Sequence, residues 1–292
     1  LMKVCIIGPG AMGCLFAARL SRSGIRTTLV DFRKERIRRL SASGITVKDL
    51  DGEFTEHVRV VSSVPSDQQL IIVLVKSYST RDLQIPVGTP VLTLQNGFGN
   101  AETLCSMVGS HLVLAGVTYE AATLLGEGLV AHTATGITRL GSWTSCSTEV
   151  AERVLKRSGF TVELTEAPGQ AIWETVVINS AINPLTAILG VPNGKLLEIP
   201  EARQLMRDLV VEGAKAATSE GYRFPYSLVE KTEEVCAETK DNISSMLQDI
   251  RAGKRTEIDA ICGEILNRAQ LTGLPAPRMR VVWQLLKAME KR

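Results

Sequence analysis

The chain opens on an apolar run, Lys3-Val4-Cys5-Ile6-Ile7, breaks into Gly8-Pro9-Gly10-Ala11-Met12-Gly13, and then takes up a helical spacing through Leu15, Leu20 and Ile25. A β-leaning run that gives way to a period near 3.6 residues predicts strand, turn and helix. The alternation continues. Residues 27–30 read as a second strand and residues 34–40 as a short basic helix ending near Ser43-Gly44. Residues 45–61 read as a hairpin around Asp51-Gly52, with Val58, Val60 and Val61 on its return. Residues 70–75 are apolar throughout, which suits a strand buried on both faces of a parallel sheet. Strands at 91–94 and 112–117 follow, with a helix from Ala101 between them.

From Tyr119 the segments shorten. Residues 129–134, 137–140 and 161–164, with a helix over 149–158, read as an antiparallel extension that completes a first domain. Ala167-Pro168-Gly169 is the expected linker. Beyond it the strand pattern stops. Residues 170–190, 201–220, 227–250, 254–272 and 278–290 read as helices, punctuated by Asn193-Gly194, Gly221, Gly253 and Gly273. The expected organisation is an α/β Rossmann-type dinucleotide-binding domain over 1–167 and an all-α domain over 168–292.

The first turn carries the clearest chemistry. Gly8 permits the tight turn, Gly10 lets a pyrophosphate approach the backbone, and Gly13 lets the helix pack on the strand. The N–H groups and dipole at the helix start favour a diphosphate. An acid, Asp31, follows at the end of the second strand, 18 residues after Gly13. Ligands of open α/β sheets bind beyond the carboxyl ends of the strands, where Asp31, Lys76 and Asn96 all fall. In the helical half, Thr175, Asn179 and Asn183 recur at i, i+4 and i+8 and share one face. Such a stripe is either an interhelical hydrogen-bond ladder or a polar wall facing a ligand. Pro184 removes the partner of the Ser180 carbonyl, so a kink and freed backbone groups are expected beside it.

Composition narrows the function classes. With 45% hydrophobic and 22% charged residues the chain can build ample cores, and a net charge of +2 gives no field for nucleic acid or membrane. No apolar run approaches the ~18 residues of a membrane span, and no basic leader precedes the first strand. The six cysteines form no Cys-x-x-Cys pair, which suits reduced thiols in the cytoplasm. The three histidines show no ligand spacing, so no metal site is expected.

Over nearly its whole length the chain resembles the ketopantoate reductase family (2-dehydropantoate 2-reductase). The resemblance rests on Gly8-Pro9-Gly10-Ala11-Met12-Gly13, Lys76, Gln95-Asn96-Gly97, Asn179, Ile182-Asn183-Pro184-Leu185-Thr186-Ala187, Pro192-Asn193-Gly194, Ser244-Ser245-Met246-Leu247-Gln248-Asp249 and Thr256-Glu257-Ile258-Asp259. It implies a Rossmann domain joined to a helical domain like that of 6-phosphogluconate dehydrogenase. It further implies NADPH, a small branched 2-keto acid, and hydride transfer that yields pantoate for pantothenate and coenzyme A synthesis. Carried onto matching positions, Gly8, Pro9, Gly10, Ala11, Met12, Gly13, Lys76, Asn96, Ala122 and Glu257 would contact the dinucleotide. Asn96, Asn179, Asn183, Asn193, Asn242, Ser244 and Ser245 would hold the substrate, and Glu257 joins the catalytic candidates. A homodimer is an open alternative to a monomer.

One position departs from the pattern. The family's proton-donating lysine lies four residues before Asn179, where this chain has Thr175. A threonine hydroxyl is uncharged and a very weak acid, so Lys76 becomes the substitute donor to test. The departure also admits two other readings: a related 2-keto acid dehydrogenase, or a homologue that binds a dinucleotide without efficient turnover. Coenzyme choice is similarly divided. Asp31 favours the ribose diol of NAD, whereas Arg33 and Lys34 favour the 2′-phosphate of NADP. NADP is the expectation, with NAD the alternative.

Overall fold

The computed structural model describes residues 2–49 and 51–291. The chain divides into two compact units, Leu1–Gln95 with Asn100–Ala171, and Asn96–Gly99 with Ile172–Arg292.

The first unit is an α/β sheet domain of Rossmann type. Its elements are β1 (Lys3–Ile7), α1 (Ala11–Arg22), β2 (Arg26–Val30), α2 (Lys34–Ser43), β3 (Ile45–Asp49), β4 (Gly52–Glu56), β5 (Arg59–Val61), β6 (Leu70–Val73) and β7 (Val91–Thr93). Then come α3 (Asn100–Val108), β8 (Val113–Thr118), β9 (Ala121–Gly126), β10 (Leu129–Ala134), β11 (Ile137–Ser142), α4 (Glu149–Arg157) and β12 (Thr161–Leu164). The main sheet runs β12-β11-β8-β7-β6-β1-β2-β5. β1 lies parallel between β2 and β6, so the strand order reverses beside the glycine turn. All four residues of β6 are fully buried, as the unbroken apolar run requires of a central parallel strand.

A second sheet, β4-β3-β10-β9, packs against α1. Here the sequence reading needs correction. The return strand of the hairpin is β4, while Val60 and Val61 belong to β5, which pairs parallel with β2 in the main sheet. β9 was not foreseen, and β10 leaves the main sheet to pair parallel with β3. Of the expected antiparallel extension, β11 runs antiparallel to β8 and β10 antiparallel to β9 in the second sheet, whereas β12 is parallel to β11. A buried charge cluster ties this second sheet to α1. The His132 side chain is fully buried, with Nδ1 2.7 Å from Asp49 Oδ1 and Nε2 2.6 Å from Glu120 Oε2. Arg19 from α1 donates to Asp49 Oδ2 at 2.8 Å. The bond to Glu120 raises the His132 pKa, burial opposes it, and the bond to Asp49 raises it again.

The second unit is helical among the described residues. It comprises most of α5 (Pro168–Leu189), then α6 (Lys195–Glu198), α7 (Pro200–Ser219), α8 (Leu228–Glu238), α9 (Ser245–Arg251), α10 (Glu264–Leu271) and α11 (Pro277–Met289). The expected linker at Ala167-Pro168-Gly169 is instead the entry to α5, with Pro168 in the first turn, where its missing N–H costs nothing. The contact boundary falls inside α5, after Ala171. α5 is long and apolar enough to cross a membrane, contrary to the sequence reading, but 72% of that stretch is buried within the protein. It is a core helix, whose Trp173, Val177 and Ile182 share one buried apolar cluster with Met206, Leu209 and Ile265.

The expected helix over 227–250 is two helices. Thr239 ends α8, and Ser244 caps α9 by accepting the Leu247 N–H. The expected helix from 254 begins only at Ile258 and passes through a π-turn, Asp259–Gly263, before α10. Asn96–Gly99 belongs to this unit although it follows β7 directly. The Phe98 N–H donates to the Ala260 carbonyl at 2.9 Å, and the Phe98 ring meets Trp173 edge-on at 4.5 Å.

Candidate active site

In the first unit the glycine turn has three separate constraints. Gly8 adopts φ +112°, which only glycine takes without strain. A Cβ at Gly13 would stand 1.7 Å from the Gly8 carbonyl oxygen, so close strand–helix packing excludes any side chain there. A Cβ at Gly10 would meet nothing within 4 Å, leaving open space in front of the backbone. The first backbone bond of α1 runs from the Cys14 N–H to the Gly10 carbonyl, so the amides before it point out of the helix end. Open space over free N–H groups is the form a diphosphate needs. Pro9, Ala11 and Met12 supply the rest of the turn.

Asp31 follows β2 and is 2% exposed. Its Oδ1 accepts from the Arg33 N–H at 3.1 Å and from Arg36 Nη2 at 2.7 Å, and its Oδ2 accepts from Arg36 Nε. The hydrogen bond to Asp31 raises the Arg36 pKa above its ordinary value. Arg33 and Lys34 are exposed. Arg36 escaped the sequence reading because it lies five residues from Asp31, outside the usual three- and four-residue spacing.

Lys76 ends the segment after β6 and starts a 3₁₀ turn, Ser77–Asp82. That turn is tied to the loop after β7. Gln95 donates to the Val75 carbonyl and to Thr80 Oγ1, both at 2.8 Å. Thr80 donates to Asn100 Oδ1 at 2.9 Å, and Asn100 donates to Ser77 Oγ at 3.2 Å. Thr80, Asn100 and Ser77 were invisible in the sequence, since nothing local marks short polar residues as one another's partners. Ala122 lies on β9 opposite His132, with its side chain against the core of the first unit.

In the second unit Thr175, Asn179 and Asn183 lie along α5. Asn179 is half-buried and Asn183 buried, yet among the described residues neither amide has a hydrogen-bond partner. At those two positions the stripe is therefore not an interhelical ladder. Pro184 has the expected effect on the Ser180 carbonyl, but that oxygen accepts the Cys262 thiol at 3.6 Å and is not left for a ligand. α5 continues unbroken through Pro184.

Asn193 is buried and pinned to the segment before α9. Its N–H donates to the Asn242 carbonyl at 3.0 Å, and its Nδ2 donates to Thr239 Oγ1 at 2.9 Å. Its Oδ1 is buried and has no hydrogen-bond partner among the described residues. Asn242 and Ser245 are exposed. Ser244 is buried, and its hydroxyl is 2.7 Å from Thr186 Oγ1 besides capping α9. It acts first as a structural clasp between α5 and α9.

Glu257 is buried, and residues on α11 or just after it hold Thr256 and Asp259 on either side. Glu290 accepts from the Thr256 N–H and hydroxyl, each at 2.7 Å. Asp259 accepts from Trp283 Nε1 at 2.9 Å and from Lys287 Nζ at 2.8 Å. Asn96 is exposed on the loop that the second unit holds through Phe98.

Two family profiles match the chain. Residues 4–145 match "Ketopantoate reductase PanE/ApbA", and residues 169–290 match "Ketopantoate reductase PanE/ApbA C terminal". A 2-dehydropantoate 2-reductase of Pyrococcus horikoshii is 36% identical over 298 residues, covering 99% of this chain and 98% of that protein. The crystal structure of a PanE/ApbA family ketopantoate reductase from Ralstonia eutropha JMP134 superposes with a TM-score of 0.90 at 31% identity, covering 99% of each chain. The ternary structure of D-mandelate dehydrogenase with NADH and anilino(oxo)acetate gives a TM-score of 0.91 at 26% identity, again over 99% of each chain.

Proposed function

The chain belongs to the ketopantoate reductase family of dinucleotide-dependent oxidoreductases, and from that premise we propose that it reduces 2-dehydropantoate to pantoate with NADPH. Pantoate formation would place it in pantothenate and coenzyme A synthesis, and its six free cysteines suit a cytoplasmic location. The observation that carries the proposal is the pair of unpartnered amides on α5. Asn179 is half-buried and Asn183 is 8% exposed, and neither amide is spent on a hydrogen bond among the described residues, so both are best explained as donors and acceptors for a small polar ligand. Asn193 Oδ1 supports the same reading.

The dinucleotide, when bound, supplies the hydride to the keto carbon. The glycine turn and the free amides of α1 would hold its diphosphate, and Lys76, Asn96, Ala122 and Glu257 would complete its contacts. Asn96, Asn179, Asn183 and Asn193 would orient the keto acid, with Asn242 and Ser245 at its margin. Ser244 would contribute through the clasp it forms with Thr186. The remaining requirement is a proton for the alkoxide oxygen. Thr175 has no acidity for that task, and Lys76 is the donor we assign.

A second reading has its own support. The likeness to D-mandelate dehydrogenase favours a related 2-hydroxy acid with a different side chain, and NADH as the coenzyme. Thr175 favours a third, a binding protein with little turnover. Initial rates for ketopantoate, phenylglyoxylate and other 2-keto acids, each against NADPH and NADH, separate the three. Preference for ketopantoate supports the first proposal, preference for an aromatic keto acid replaces it with the second, and nucleotide binding without turnover leaves the third.

A further inference from the structure

We propose that Arg36 sets the coenzyme preference, by occupying the carboxylate that would otherwise select NAD. The inference rests on reading the glycine turn as a dinucleotide cradle, and it specifies which adenosine ribose that cradle accepts.

Asp31 at the end of β2 is the acid that receives a ribose diol in NAD-binding sheets of this type. To do so it must offer both oxygens to hydroxyl donors. Here both are taken. The Nε and Nη2 edge of Arg36 grips them as a fork, and the Arg33 N–H adds a third donor to Oδ1. The carboxylate is 2% exposed, so this is a shielded pair and not a surface contact. Oδ1 already accepts two donors and Oδ2 keeps one lone pair on a carboxylate that is 2% exposed, so a diol reaches both oxygens only by opening the fork, which would leave the buried carboxylate without its counter-charge.

A 2′-phosphate meets a different surface. Gripping Asp31 by its Nε and Nη2 edge leaves Arg36 the two Nη1 hydrogens and one on Nη2. The Arg36 side chain is 22% exposed, and the exposed cations of Arg33 and Lys34 stand beside it in sequence. Guanidinium and phosphate oxygens pair bidentately, and the charge of Asp31 is already cancelled by its partner. The same ion pair thus disfavours the diol and supplies donors for the phosphate. Asp31 alone indicates NAD; Asp31 with Arg36 indicates NADP.

The test is binding, free of any turnover. NADPH and NADH are titrated into the apo-protein and followed by nucleotide fluorescence. Wild type should bind NADPH about ten- to a hundredfold more tightly than NADH, the range of one charge-assisted contact. Arg36→Ala should erase that ratio or invert it, because NADPH loses a donor and Asp31 becomes available to the diol. A wild type that prefers NADH, or an Arg36→Ala variant that weakens both nucleotides equally, overturns the proposal. If Arg36→Ala fails to fold, as circular dichroism would show, Asp31→Asn decides. It keeps the guanidinium and removes the opposing charge, so NADPH preference should persist or grow, and a loss of that preference overturns the proposal. If neither nucleotide binds wild type, the cradle reading falls and takes this inference with it.

Discussion

The three glycines of the first turn permit a sharp separation of folding from binding. Consider Gly10→Val and Gly13→Val. At Gly10 the backbone is extended, with φ −75° and ψ −172°, and an added Cβ meets no protein atom within 4 Å. Loss of a glycine cap costs about 1 kcal/mol, and the stiffer unfolded chain returns about 0.4–1 kcal/mol. The net change in stability is close to zero, and the Tm should stay within about 2–4 °C of wild type. At Gly13 the Cβ would lie 1.7 Å from one backbone atom and 2.9 Å from another, and neither can swing aside. Overpacking of this kind costs about 1–3 kcal/mol or more, so Gly13→Val should unfold much earlier or fail to accumulate.

Binding should follow the opposite order. The valine at position 10 fills the space over the helix amides. Losing two charge-assisted hydrogen bonds of about 1.5–3 kcal/mol each weakens NADPH by about 10²–10⁴-fold. Thermal unfolding followed by circular dichroism reads the first effect, and fluorescence titration of NADPH reads the second. A Gly10→Val variant that binds NADPH within about threefold of wild type would refute the cradle. A Tm loss equal to that of Gly13→Val would refute the claim that the space at Gly10 belongs to a ligand.

Three further outcomes are expected. Thr175→Lys should raise kcat in steady-state kinetics by up to about 10²-fold if the wild type lacks a proton donor on α5, whereas Lys76→Ala should lower kcat and spare substrate binding if Lys76 already protonates the alkoxide; no change in either variant removes both residues from that role. The raised pKa of His132 stabilises the folded state fully below its ordinary value of 6.5 and progressively less as pH climbs through the folded value, so the unfolding midpoint should fall above pH 6.5 in wild type and lose that slope in His132→Gln. Burial pushes the thiols of Cys5, Cys14 and Cys236 up to about 12 and raises those of Cys146, Cys262 and Cys105 as well, but Cys105 alone of the six is not buried, so Ellman's reagent on the native protein should modify Cys105 first, and rapid labelling of the others would show that those thiols are not shielded.

How much of this was legible in the sequence follows the range of the interactions involved. The β1–α1–β2 unit was readable because its glycine spacing and change of period are local. The helical half was readable from its 3.6-residue pattern, yet two of its helices were drawn too long. Residues 239–242 look helical in isolation, but their carbonyls and Thr239 serve Asn193 and Gly194. Residues 254–257 likewise give up helix bonding, since Glu290 takes the Thr256 N–H. The second sheet was missed because β3 finds its parallel partner in β10, across most of the first unit. At the candidate site the residue types were readable and their commitments were not. Asp31 looked available until Arg36 was seen to hold it, and the carbonyl freed by Pro184 looked available until Cys262 was seen to take it.

The placement of Asn96–Gly99 bears on the order of events during synthesis. These residues leave the ribosome together with the strands around them, well before α5 exists. Phe98 is nevertheless a core side chain of the helical unit, set edge-on to Trp173 and covered by Arg268. The nascent first unit must therefore carry an exposed aromatic loop until the last third of the polypeptide arrives to cover it. A fragment cut at residue 172 would be missing an internal piece of its own core. In this chain the gene order and the structural units are interleaved, so neither half can be exchanged for a homologous module by a single crossover without also moving those four residues.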